Sequence, residues 1–102
     1  MTGIDTAAFF GAVLKTIAST RNHSTDQREY DSGVLEPARR IRESEKEVGD
    51  RPLSSAEAEQ VLGLLETTLR TKRTPDEERE YYLQYIEKVA GISRASLSVS
   101  GW

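Results

Sequence analysis

The sequence predicts an all-α protein: a small bundle of three main helices plus a kinked, polar helix, with an extended C-terminal tail. Three observations support this class. Apolar residues recur with a 3.6-residue period in three segments, and helix-capping residues bracket each of them. The period changes to two only near the C-terminus, where apolar residues alternate with serine. We therefore predict a bundle domain over residues 1–92 and a tail over 93–102.

The central segment, residues 53–72, has the clearest helical signal. Ser54 and Glu57 have the spacing of a capping box, in which each residue satisfies a free backbone N–H of the other. The segment then continues as an amphipathic helix. The residues of its apolar face are Ala58, Val61, Leu62, Leu65 and Leu69.

The first helix is predicted to begin after Asp5, a favourable N-cap residue. Its apolar face repeats at positions i, i+3, i+4 and i+7. The residues of that face are Phe10, Val13, Leu14 and Ile17. Phe9 lies beside this face, so it belongs either to the core or to a surface that contacts a partner.

Residues 23–50 are the least regular part of the bundle. Ser24 and Gln27 are spaced as a second capping box, and Pro37 predicts a kink or a fresh helix start. Gly49 is suited to end the helix that follows. Because this helix has few apolar residues, we expect a surface helix with one narrow buried stripe, or a stripe that contacts another chain.

The last helix is predicted to start with Thr74 as N-cap, Pro75 at the first helical position and Glu77 completing a capping box. Gly91 is predicted to end it in the left-handed conformation. The predicted inner face consists of Tyr82, Leu83, Ile86, Val89 and Ala90.

Composition limits the class of protein further. The chain has 102 residues, of which 22 are Leu, Ile, Val or Phe, so we expect one domain with a thin core that oligomerisation would help to bury. The net charge of −3 gives no bulk electrostatic reason to bind nucleic acid or a membrane. No apolar run reaches the ~20 residues of a membrane span, and no signal peptide is evident. We expect a soluble, cytoplasmic protein.

Few residues suggest chemistry. His23 is the only histidine and cysteine is absent, so a zinc site of three or four such ligands is not expected. The basic residues Arg70, Lys72 and Arg73 lie at the end of the central helix, where cations complement the helix dipole without any ligand. The sequence therefore predicts no enzyme activity, no cofactor and no metal.

Residues 86–97, IEKVAGISRASL, resemble the turn and the start of the recognition helix in bacterial helix-turn-helix repressors. The residues that match by spacing are Ile86, Gly91, Ile92, Ser93 and Leu97. The resemblance implies a DNA-binding transcriptional regulator. The side chains that it would direct at the major groove are Ser93, Arg94, Ser96 and Ser98.

Aromatic residues point to a different function. Tyr81, Tyr82 and Tyr85 cannot all face the core, because neighbouring helix positions diverge by about 100°. Tyrosine is favoured in protein interfaces. We therefore expect a non-enzymatic protein-binding module (an adaptor, inhibitor or subunit) that forms a homodimer, with DNA binding as the alternative. The predicted partner-binding residues are Phe9, Tyr81, Tyr85, Leu97, Val99 and Trp102.

Overall fold

A computed structural model of the chain describes residues 4–93 and confirms the all-α class. The helices are α1 (Thr6–Ser19), α2 (Gln27–Tyr30), a π-helical turn (Asp31–Leu35), α3 (Glu36–Val48), α4 (Ser55–Thr71) and α5 (Asp76–Ala90). Between residues 4 and 93 no strand forms, and a single antiparallel bridge joins Ile4 to Leu53. The predicted tail lies outside the described residues, apart from Ser93.

Helix α1 organises the bundle. It packs against α3, α4 and α5, whereas α5 packs chiefly against α1. Helices α3 and α4 pack against each other, and the π-helical turn contacts both of them. The largest fully buried side chains come from four helices. They include Phe9, Phe10, Ile41, Leu62, Leu65, Leu69, Leu83 and Ile86.

The start of α4 is the predicted capping box. The Ser54 hydroxyl accepts a hydrogen bond from the Glu57 amide at 3.1 Å, and the Glu57 carboxylate accepts one from the Ser54 amide at 3.0 Å. Arg51 also donates to this carboxylate, at 2.8 Å. The Arg51 bond, followed by the Ser54 amide, lowers the pKa of Glu57 to about 2. The Glu57 carboxylate in this capping box therefore stays ionised until the pH is strongly acidic.

Phe9 belongs to the core, and its predicted role in partner binding is therefore wrong. Its side chain is fully buried and meets the Phe10 ring edge-to-face, with centroids 5.6 Å apart. The physical reason is the central position of α1. A helix that contacts three others buries a wider arc than a single apolar stripe, so the positions beside the stripe become buried too.

Within residues 23–50, the first helix starts later than predicted, and the backbone then stays helical as far as Val48. Asp26, not Ser24, is the N-cap of α2. Its carboxylate accepts hydrogen bonds from the backbone amides of Arg28 and Glu29. The backbone then runs through the π-helical turn into α3, which begins one residue before Pro37. The irregularity in this stretch is therefore the wider π-helical turn, which ends two residues before Pro37. Gly49, at φ +59°, ends α3 as predicted.

The π-helical turn lies against α4 at Gly33. A Cβ atom added to this glycine would be 2.1 Å from Thr71 Oγ1 and 2.8 Å from Thr71 Cβ, far inside van der Waals contact. We therefore expect Gly33→Ala to lower the free energy of unfolding by about 1–3 kcal/mol, as overpacked sites do. Urea denaturation followed by circular dichroism measures it.

Gly63 is the matched control for Gly33. It lies within α4, and an added Cβ would have nothing within 4 Å. Alanine there should raise the free energy of unfolding by about 0.5–1 kcal/mol, the helix-propensity gain. Equal effects of the two substitutions would show that the Gly33–Thr71 contact is not tight.

Helix α5 departs from the prediction at its start and on its inner face. It begins at Asp76, after Pro75, because the Thr74 amide is used to close the end of α4 by donating to Leu69 O at 3.0 Å. The Thr74 hydroxyl is buried without a partner, so it caps nothing. Val89, predicted to face inward, is 39% exposed.

The end of α5 is confirmed. Gly91 has φ +69° in the left-handed region, and its amide donates to Glu87 O at 3.0 Å. The Ile92 amide donates to the same carbonyl at 3.1 Å, which is the long-range bond of a Schellman motif. Ile92 then packs against the core.

Candidate functional site

Four apolar and aromatic residues form one face on the outer side of α5. Tyr81, Tyr85, Val89 and Tyr82 fall within about 100° of arc at helical spacing, and we call them the tyrosine face. Tyr81 is 66% exposed and Val89 is 39% exposed. These are two of the three large apolar side chains that are exposed between residues 4 and 93. The third is Leu35, on the π-helical turn.

Neighbouring contacts hold the rings of the tyrosine face. The Tyr81 and Tyr82 rings meet edge-to-face, with centroids 5.2 Å apart. The Lys15 ammonium of α1 lies 5.2 Å from the centroid of the Tyr85 ring, a cation–π contact. Tyr85 also packs against the core on its other side. The face is thus a preformed surface in which Tyr81 projects furthest into solvent.

Opposite charges flank Tyr81 on the solvent side of α5. Glu77 lies in the first turn of the helix and Lys88 in the last, and both are exposed. Eleven residues of helix separate them, which is about 16 Å along the axis. Neither side chain makes an ion pair with any residue between 4 and 93.

The structure brings together only part of the predicted partner surface. Tyr81 is exposed and Tyr85 is half-buried beside it, whereas Phe9 is in the core. The remaining predicted residues, Leu97, Val99 and Trp102, lie outside the described residues. Val89 was missed as a surface residue, because its spacing also fits the inner stripe.

The turn that resembles a helix-turn-helix is described only in its first half. Ile86 is buried, Gly91 has the left-handed conformation, Ile92 is half-buried and Ser93 is exposed. Arg94, Ser96 and Ser98 lie outside the described residues. The geometry from Ile86 to Ser93 is a helix end that a DNA-binding turn shares with many other helices.

A buried lysine joins the end of α4 to the end of α1. Lys72 is only 5% exposed, and its ammonium donates to Ile17 O at 2.5 Å, to Thr20 O at 2.9 Å and to Thr20 Oγ1 at 3.2 Å. These bonds use all three of its donors and satisfy carbonyls at the C-terminus of α1. The Lys72 carbonyl also accepts from the His23 amide at 2.8 Å.

Neutral oxygens surround the Lys72 charge. Burial lowers the pKa of Lys72, and the more distant negative charge of Glu78 opposes that shift only in part. The sequence did predict a cation at a helix C-terminus, but Lys72 serves the end of α1 and not that of its own helix. No local signal distinguishes Lys72 from Arg70 and Arg73, which remain exposed.

Residues 4–93 contain no group of three or more His, Asp or Glu side chains arranged to hold a metal ion. Within the same range, none of the helices has the length and apolar character needed to cross a bilayer. No family model, curated protein or solved structure gives a significant match to the chain.

Proposed function

We propose that this chain is a cytoplasmic, non-enzymatic protein-binding module that acts through the tyrosine face of α5. The observation that carries the proposal is the 66% exposure of Tyr81 at the centre of a face that Tyr82, Tyr85 and Val89 extend. Tyrosine offers a large contact area with few rotatable bonds, and it is enriched among the residues that dominate binding energy. Lys15 holds the Tyr85 ring in place, so little ordering is needed on binding.

The charges beside Tyr81 favour a second copy of the chain as the partner. In an antiparallel pair of α5 helices related by a two-fold axis, Glu77 of each copy opposes Lys88 of the other. The same pairing brings Tyr81 of one copy near Tyr85 of the second copy. The surface is therefore self-complementary in both charge and apolar character, which is what a symmetric dimer requires.

Reversal of charge provides the test. We expect sedimentation equilibrium to show a dimer, and Glu77→Lys alone or Lys88→Glu alone to weaken it roughly tenfold, because each change creates two repulsive pairs. The double variant should restore dimerisation, because the pairs are attractive again. Leu35→Ser removes an exposed apolar side chain outside the tyrosine face, and it should leave dimerisation unchanged.

Two outcomes would contradict this proposal. A wild-type chain that stays monomeric at high micromolar concentration excludes the homodimer, and failure of the double variant to recover excludes the antiparallel arrangement. Retardation of DNA fragments that weakens steeply with salt and with Arg94→Ala would instead support the alternative function at the Gly91 turn.

A further inference from the structure

A pocket lies on a different part of the molecule, between the end of α1, the π-helical turn and α3. Its volume is about 450 Å³. One side is apolar, and the polar lining includes Asn22 and Tyr30. The apolar residues are Ile17, Ala18, Val34, Leu35 and Ala38. No residue of the tyrosine face lines this pocket, so it is independent of the proposed dimer surface.

The charged side chains of the pocket are all cations. Arg39, Arg42 and Lys72 line it, and no Asp or Glu does. Arg39 is neutralised by ion pairs with Glu36 and with Glu43, the latter at 2.6 Å. Arg42 has no acidic partner between residues 4 and 93. Two positive charges, those of Arg42 and Lys72, are therefore left without a carboxylate in contact.

Lys72 is the buried member of this pair. Buried charges are normally paired with an opposite charge, because hydrogen bonds to neutral groups replace only part of the lost hydration. The three acceptors of Lys72 are neutral oxygens of Ile17 and Thr20. Glu78 acts on this charge only from a distance and opposes the effect of burial only in part. An anion in the adjoining pocket would add a nearer negative charge, and the exposed Arg42 could donate to it directly.

The π-helical turn forms one wall. Such turns are rare and occur frequently at functional sites, because they redirect side chains that a regular helix would place elsewhere. Here the turn directs Val34 inward, where it is 2% exposed, and leaves Leu35 51% exposed at the pocket. An exposed leucine beside unpaired cations suits a ligand with both an apolar body and a negative charge.

We propose that this pocket binds a small organic carboxylate with an apolar body. The carboxylate lies near Arg42 and Lys72, and the apolar part covers Leu35 and contacts Val34 and Ala38. Another groove, of about 520 Å³ between α3 and α4, shows the contrast. It is lined by Arg40 together with Glu43 and Glu47, so its charges do not favour an anion.

Octanoate is the probe for the test. Titration into the isotope-labelled protein should shift the methyl NMR signals of Ile17, Val34 and Leu35 in a saturable way. Acetate, which lacks the apolar body, and octan-1-ol, which lacks the charge, should bind at least about tenfold more weakly. Similar affinity for octanol would show an apolar cleft with no selectivity for anions, and would overturn the proposal.

Arginine variants locate the binding site. Arg42→Gln should weaken octanoate binding roughly ten- to a hundredfold, the range for loss of a hydrogen bond to a charged group. Arg40→Gln is the matched control, because Arg40 is two residues away on the same helix and faces the other groove. Both arginines are exposed, so neither change should unfold the protein. No octanoate binding at millimolar concentration, or equal weakening by both variants, would overturn the proposal.

Discussion

Leu65→Ala should lower the free energy of unfolding by about 2–5 kcal/mol, the range for a buried leucine truncated to alanine. Leu65 is fully buried in the middle of α4, which packs against α1, α3 and the π-helical turn. Its removal leaves a cavity that neighbours from several helices would have to fill together. Urea denaturation followed by circular dichroism measures the change.

Leu64→Ala is the control for this substitution. Leu64 is the neighbouring residue on the same helix, with the same propensity, but it is only half-buried at the edge of the core. We expect it to cost less than half as much as Leu65→Ala, because part of the leucine side chain is already in water. A larger effect at Leu64 would mean that α4 is rotated relative to this structure.

Lys72→Ala should lower the free energy of unfolding by roughly 2–4 kcal/mol, because it leaves buried acceptors unpaired and removes the packed side-chain stem. The acceptors are the carbonyls of Ile17 and Thr20 at the end of α1. Arg70→Ala is the control. Arg70 is exposed and pairs with Glu66 on the helix surface, so its loss should cost at most about 1 kcal/mol.

The pH dependence of stability tests the state of Lys72 separately. Burial lowers the pKa of Lys72 in the folded protein below its ordinary value of 10.5, so the unfolded chain binds this proton more tightly. Lys72 therefore makes stability rise with pH between the lowered pKa and about 10.5. Lys72→Met, which keeps the stem, should abolish this contribution. An unchanged pH slope in that variant would show that the ammonium is not desolvated.

Local sequence signals predicted several of the helix ends correctly, although not the starts of α2 and α5. The Ser54–Glu57 box, the Asp5 cap and the glycines at positions 49 and 91 all behave as predicted, because each depends only on backbone geometry within a few residues. The periodicity of α4 likewise predicted its buried face. These features made the all-α class predictable from the sequence.

Tertiary contacts explain the predictions that are wrong. Thr74 has the right residue type and spacing for an N-cap, but its amide closes α4 and its side chain is buried. Phe9 is in the core because α1 contacts three helices. Val89 is exposed because α5 packs chiefly against a single helix, so its buried arc is narrow.

The candidate sites were predictable to different degrees. The divergence of Tyr81 and Tyr82 was enough to predict an exposed tyrosine, and Tyr81 is exposed. The carboxylate pocket was not predictable, because it combines Lys72 with Ile17 and Arg42 from distant parts of the chain. Its cations are surrounded in the sequence by residues of both signs, and only the fold separates them from the acids.

The central position of α1 has a consequence for synthesis on the ribosome. Helix α5 begins 70 residues after α1 begins, although the two helices are packing partners. At ordinary translation rates, α1 is complete for roughly 3–11 s before the start of α5 is made. During that interval Phe9 and Phe10 of the nascent α1 cannot be fully buried, because α5 is not yet there to pack against α1. The helix that later becomes the centre of the bundle is therefore the part of the nascent chain whose apolar surface waits longest for its cover, and such surface makes a partly folded chain prone to aggregate.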